Sequence, residues 1–70
     1  MKYKVYKYST VNLNLKMWLV RFNNGGEPTW SSKYSEGMLF DYKQDAKDYA
    51  YQYGGDTYEV DTKLEKEMFN

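Results

Sequence analysis

The order of apolar and polar side chains divides the chain into segments of different period. Residues 2–8 alternate loosely, with Tyr3 and Val5 on one side and Lys2, Lys4, Tyr6 and Tyr8 on the other. This predicts a strand with one wet face on which the lysines stay solvated. From Val11 the alternation is regular: Val11, Leu13, Leu15, Met17 and Leu19 share one parity, and Asn12, Asn14 and Lys16 the other. Across residues 17–22 the arrival of Trp18, Val20 and Phe22 makes both parities apolar. The second strand is therefore either buried on both faces or shifted in phase by a bulge.

Asn23, Asn24, Gly25 and Gly26 concentrate residue types that accept positive φ, which a tight hairpin requires. The return strand is expected over residues 29–34, with Trp30, Ser32 and Tyr34 on one face and Pro28 at its entry, where a missing N–H does least harm. Ser35, Glu36 and Gly37 mark the next turn. Over residues 41–53 the period becomes helical, because Tyr42, Ala46, Tyr49, Ala50 and Tyr53 fall at i, i+4, i+7, i+8 and i+11. Asp41 is the expected N-cap, Gln44 completes a capping box, and Gly54 and Gly55 supply a left-handed stop. The small Ala46 and Ala50 let this helix lie close to a sheet, with tyrosine rings filling its flanks. Residues 57–61 alternate again and predict a closing strand. Residues 62–70, with Leu64 and Met68 at i, i+4, form either a short helix or a frayed end. The expected order is β-β-β-α-β, a single α+β domain over residues 1–70 with a small antiparallel sheet and one helix packed on one face.

Composition narrows how such a domain is held together. A core of this size supplies roughly 3–5 kcal/mol of net stability. The absence of Cys excludes disulfides, and without imidazole or thiolate ligands a structural zinc site is not expected. Tight packing or self-association remains, and nine Tyr, two Trp and three Phe supply the rings for either. No stretch approaches the roughly 20 apolar residues of a membrane span, and the first ten residues lack the apolar centre of a signal peptide. A cytoplasmic protein with no membrane partner is expected.

Charge is balanced overall but segregated along the chain. Residues 1–33 carry six basic side chains against Glu27 alone, a net of +5; residues 34–70 carry four basic against nine acidic, a net of −5. Either a basic sheet neutralises an acidic helix, or the surface is bipolar with an acidic face for a basic partner. Asp41, Asp45 and Asp48 at i, i+4 and i+7 make a stripe beside the tyrosines, and Asp56, Glu59 and Asp61 follow it. The stripe has helical spacing rather than the alternating ligands of a calcium loop, and the Gly25–Gly26 pair lacks the spacing of a phosphate loop. No metal, cofactor or catalytic residue is expected: general acid–base work without His or Cys needs carboxylates in a cleft, and these are spread along a surface.

Two binding modes follow from these features. In the first, Asp41, Asp45, Asp48, Asp56 and Glu59 face a basic groove, anchored by Trp30, Tyr34 and Tyr51, so that charge complementarity sets orientation and association rate. In the second, Lys2, Lys4, Lys7 and Arg21 with exposed tyrosines bind single-stranded nucleic acid, against which the acidic half argues. Tyr6, Tyr8, Tyr34 and Tyr51 are surplus to core filling and suit an interface with a partner or a second copy, which leaves a structural homo-oligomer as a third role.

The stretch Trp18-Leu19-Val20-Arg21-Phe22, with Gly25-Gly26, Trp30-Ser31, Phe40, Asp45-Ala46, Ala50, Tyr53-Gly54-Gly55 and Tyr58-Glu59-Val60, resembles a pattern in small proteins of tailed phages. The resemblance covers residues 17–61 and rests on structural residues, so it transfers no catalytic or ligand position. It implies stoichiometric binding to a host protein, as anti-CRISPR proteins and inhibitors of the sliding clamp or RNA polymerase do. The expectation is a non-enzymatic, anti-CRISPR-like inhibitor of a host nuclease, sliding clamp or polymerase, with direct nucleic-acid binding disfavoured and a homodimer as an added state.

Overall fold

The computed structural model describes residues 1–61, which form four strands and one helix: β1 (Lys2–Tyr8), β2 (Lys16–Phe22), β3 (Pro28–Ser31), α1 (Lys43–Tyr53) and β4 (Asp56–Val60). The sheet is antiparallel in the order β3-β2-β1-β4, so the first and last strands pair at its centre and edge. This is the expected α+β fold. The proposed tail over residues 62–70 lies outside the described residues.

Strand parity assigns the two faces. In the β1–β4 ladder Lys2 lies opposite Val60, Lys4 opposite Tyr58 and Tyr6 opposite Asp56; in β1–β2 Tyr6 meets Trp18 and Tyr8 meets Lys16. These side chains share the face turned away from α1. Val5 and Leu19 point to the other face, where with Phe40, Ala46 and Ala50 they form the buried core, flanked by Tyr3, Phe22, Trp30, Met38 and Tyr49. The alanines let the helix approach, and the rings of Tyr49 and Tyr53 pack on Phe22 beside them. Consecutive Trp18 and Leu19 are both buried, and the β2–β3 register shifts between Leu19 and Arg21, so β2 is covered on both faces and also carries a bulge.

Several expectations are corrected. Residues 11–15 are not strand but an exposed loop, with Val11 95% exposed. The polar residues between the apolar ones end the ladder: the Ser9 hydroxyl oxygen accepts the N–H groups of Val11 and Asn12, and the Asn12 side chain accepts that of Asn14. Such local bonds compete directly with strand pairing. β3 stops at Ser31, where the hydroxyl donates to Glu36 and accepts the Lys33 N–H. That turn leads into a 3-10 helix over Tyr34–Glu36, so Tyr34 leaves the face of Trp30.

The helix starts at Lys43 with Tyr42 as its uncapped N-cap residue. Asp41 does not cap because its carboxylate pairs with the Lys2 ammonium, and the Gln44 amide donates to Asp48 instead of closing a capping box. The stop is as expected, with Gly54 at φ 73°. Lys4 is not solvated. It is 4% exposed, its ammonium donating to the Tyr34 carbonyl at 2.6 Å and lying 3.6 Å from that ring's centroid.

One pass of chain is invisible to periodicity. Residues 37–40 run between the N-terminal half of β1 and β2: the Met38 N–H donates to Leu19, and Tyr3 and Phe40 exchange two backbone bonds. Gly37 makes room for this pass, since a Cβ there would stand 3.0 Å from Lys4 Cδ and 3.3 Å from Trp18 Cβ. Gly55 is tighter still, because its added Cβ would lie 2.0 Å from the Tyr6 carbonyl oxygen. Gly55→Ala is therefore expected to cost at least about 3 kcal/mol and leave most of the chain unfolded, whereas Gly25→Ala, at an open turn, changes stability by less than about 1 kcal/mol. Circular-dichroism melts of the two variants check the contrast.

Candidate functional site

The helix presents the charged surface closest to the expected one. Ala46 and Ala50 fix its inner side, and at 100° per residue Asp48 then falls on its outermost line, with Tyr51 and Asp45 one turn away along the helix and to either side of that line. Lys43 and Lys47 occupy the opposite flank, so Tyr51 stands between acidic and basic rows. Tyr51 is 91% exposed. Among the described residues the one ion pair joins Lys2 to Asp41, leaving Asp45, Asp48, Asp56 and Glu59 without a paired cation there.

The remaining expected site residues lie elsewhere. Asp41 precedes the helix and is engaged by Lys2. On β4, Asp56 shares the face of Tyr6 whereas Glu59, opposite Tyr3, points to the helix side. Trp30 packs edge-on against Tyr53, with the Lys7 ammonium 4.4 Å from its centroid. Tyr34 belongs to the other face of the sheet, edge-on to Trp18 at 4.9 Å. Only Asp45, Asp48 and Tyr51 form one continuous surface; the strand pleat divides the rest.

Sequence reasoning missed a second assembly on the face opposite the helix. Trp18 is its centre, with ring centroids of Tyr6 at 5.4 Å, Tyr34 at 4.9 Å and Tyr58 at 5.5 Å. Tyr8 packs edge-on to Tyr6 at 5.9 Å, and Tyr34 to Tyr58 at 5.5 Å. Most of these contacts are edge-to-face, the arrangement that ring quadrupoles favour. The signal was present in the parity of residues 4, 6, 8, 16, 18 and 58, but which parities share a face is fixed only by strand register. Of the cations expected on a basic sheet face, Lys7 lies on the helix side over Trp30 and Lys4 is buried, while Lys16 sits among the rings.

No group of three metal-ligating side chains occurs among the described residues, and no described helix is long and apolar enough to cross a membrane. Comparison of the chain with protein-family models, with curated proteins and with solved structures gives no match.

The two surfaces differ in what they contribute to folding. Trp18→Ala removes a buried ring in contact with three others and is expected to cost about 3–5 kcal/mol, enough to unfold the domain. Tyr51→Ala removes an exposed ring and is expected to stay within about 0.5 kcal/mol of the parent. Urea titration of both variants separates the structural ring from the exposed one.

Proposed function

We propose that the chain is a non-enzymatic binding protein of the phage anti-defence type, acting in the cytoplasm of a bacterial host. Its target is a nucleic-acid-handling protein, of the nuclease, sliding-clamp or polymerase class. The observation that carries this reading is the helix surface of Asp45, Asp48 and Tyr51: two carboxylates three residues apart, the second of them neighbouring one almost fully exposed aromatic ring. Exposed tyrosine is a favoured interface anchor because it offers large contact area at low entropic cost. Carboxylates at helical spacing present charge where a basic groove expects phosphate, which speeds encounter and fixes orientation. Asp56 and Glu59 extend the negative field at the neighbouring edge strand rather than touching the same groove. Binding would occupy the target's nucleic-acid path sterically.

The test is retention of host proteins on the immobilised chain with and without Asp45→Asn, Asp48→Asn and Tyr51→Ala combined. A dominant basic nucleic-acid-handling protein is expected to be held by the parent, with affinity falling as salt rises, and to be lost by at least about 100-fold in the triple variant, the loss of a two-charge, one-ring hot spot. Unchanged retention and unchanged salt dependence would sink this reading.

A second reading is favoured by the five-ring face, whose exposed Tyr8 and Tyr58 rings and Lys16 suit single-stranded nucleic acid. Mobility shift of a random single-stranded oligonucleotide at low salt, abolished by Tyr8→Ala with Tyr58→Ala, would replace the first reading with this one.

A further inference from the structure

The Lys16 ammonium is enclosed by three rings, 4.5 Å from the centroid of Tyr6, 5.9 Å from Tyr8 and 5.8 Å from Trp18. The rings are walls rather than a stack: Tyr6 and Tyr8 meet at 85°, Tyr6 and Trp18 at 55°. This enclosure follows from the register of β1 and β2, which sets Tyr6 opposite Trp18 and Tyr8 opposite Lys16 and so gathers all four side chains on one face. Trp18, 6% exposed and braced by Tyr34 and Tyr58, is the fixed floor, whereas Tyr8, 49% exposed, leaves the outer wall open to solvent. Among the described residues no carboxylate pairs with Lys16, and the contacts its ammonium makes there are to ring faces.

We propose that Tyr6, Tyr8 and Trp18 form a binding site for a quaternary ammonium group, which Lys16 occupies as an exchangeable resident. Ring faces attract a cation electrostatically within about 6 Å, and aromatic enclosures of this kind are the recurrent means of recognising quaternary ammonium ligands. A primary ammonium is a poor permanent occupant: it is compact, strongly hydrated and carries three N–H donors for which ring faces provide no oxygen acceptor. A trimethylammonium has no N–H to satisfy, and its methyl groups pack against the walls. The intramolecular contact is partly open to solvent on the Tyr8 side and correspondingly weak, so displacing Lys16 lowers ligand affinity by only about 2- to 5-fold. The ligand is a choline- or betaine-type group, either as a soluble compound or as a lipid headgroup. This site is separate from the acidic helix surface and stands or falls independently of it.

The experiment is titration of the 70-residue chain with choline, followed by the ring-current shift of its methyl protons and by amide shifts of Tyr8, Lys16 and Trp18 in two-dimensional NMR. Saturable binding is expected, about 2- to 5-fold tighter in K16A than in the parent and at least about 10-fold weaker in Y8A. K16Q, which keeps most of the stem, is expected to reproduce the gain and guards against a folding defect in K16A. The neutral isostere 3,3-dimethylbutan-1-ol is expected not to bind. Absence of saturable shifts at these residues in parent, K16A and K16Q, or equal binding of the neutral isostere, overturns the proposal. With choline binding in hand, sedimentation with phosphatidylcholine vesicles that Y8A abolishes assigns the headgroup as the source; no sedimentation assigns a soluble ligand.

Discussion

Close approach between helix and sheet is the constraint on which this fold depends. With only Ala46 and Ala50 on the innermost side of α1, the helix backbone can settle onto β1 at Val5, and the shared core is completed by Leu19 and Phe40. The bulky residues of the helix itself are displaced sideways. Tyr49 and Tyr53 pack against Phe22, Phe40 and Trp30 along the margins of the contact, where they continue to exclude water. The same closeness brings the Gly54–Gly55 corner against β1, so tightly that the Tyr6 carbonyl tolerates no side chain at Gly55. A short chain without cysteine thus gains density rather than volume.

That arrangement explains what was legible in the sequence. The helix, its glycine stop, the Asn23–Gly26 turn and the outer strands rest on local periodicity and turn chemistry, which residues declare by themselves. The Asn23 side chain accepts the N–H groups of Gly25 and Glu27, a self-contained turn that needs no other part of the molecule. Sequence and structure part where two bonding options compete, a distant partner winning in one case and a local one in the other. Asp41 has the composition of an N-cap, but Lys2 lies 39 residues away in sequence and next to it in space. Residues 11–15 alternate well enough for a strand, yet Ser9 and Asn12 supply nearer bonds than any neighbouring strand could.

The candidate sites divide on the same principle. Asp45, Asp48 and Tyr51 could be grouped from sequence because one helix carries them all and its period is known. The aromatic face could not, since Tyr6, Trp18, Tyr34 and Tyr58 come from four separate elements and their meeting depends on strand register and on a 3-10 turn. Charge separation between the two halves of the chain also proved a blunt guide. Lys2 is drawn to Asp41 and Lys4 is buried against Tyr34, so part of the basic half is absorbed internally rather than displayed.

Pairing of β1 with β4 has a consequence for how the protein reaches this state. Lys2 lies opposite Val60, so the ladder is closed by strands from nearly opposite ends of the described chain. Closing so long a loop is an entropic barrier that local contacts cannot lower. During synthesis β1 emerges from the ribosome first and must wait for β4 before that edge is covered. The lysines at positions 2, 4 and 7 then have a role before the native state exists: they charge a waiting strand and discourage it from pairing with other chains.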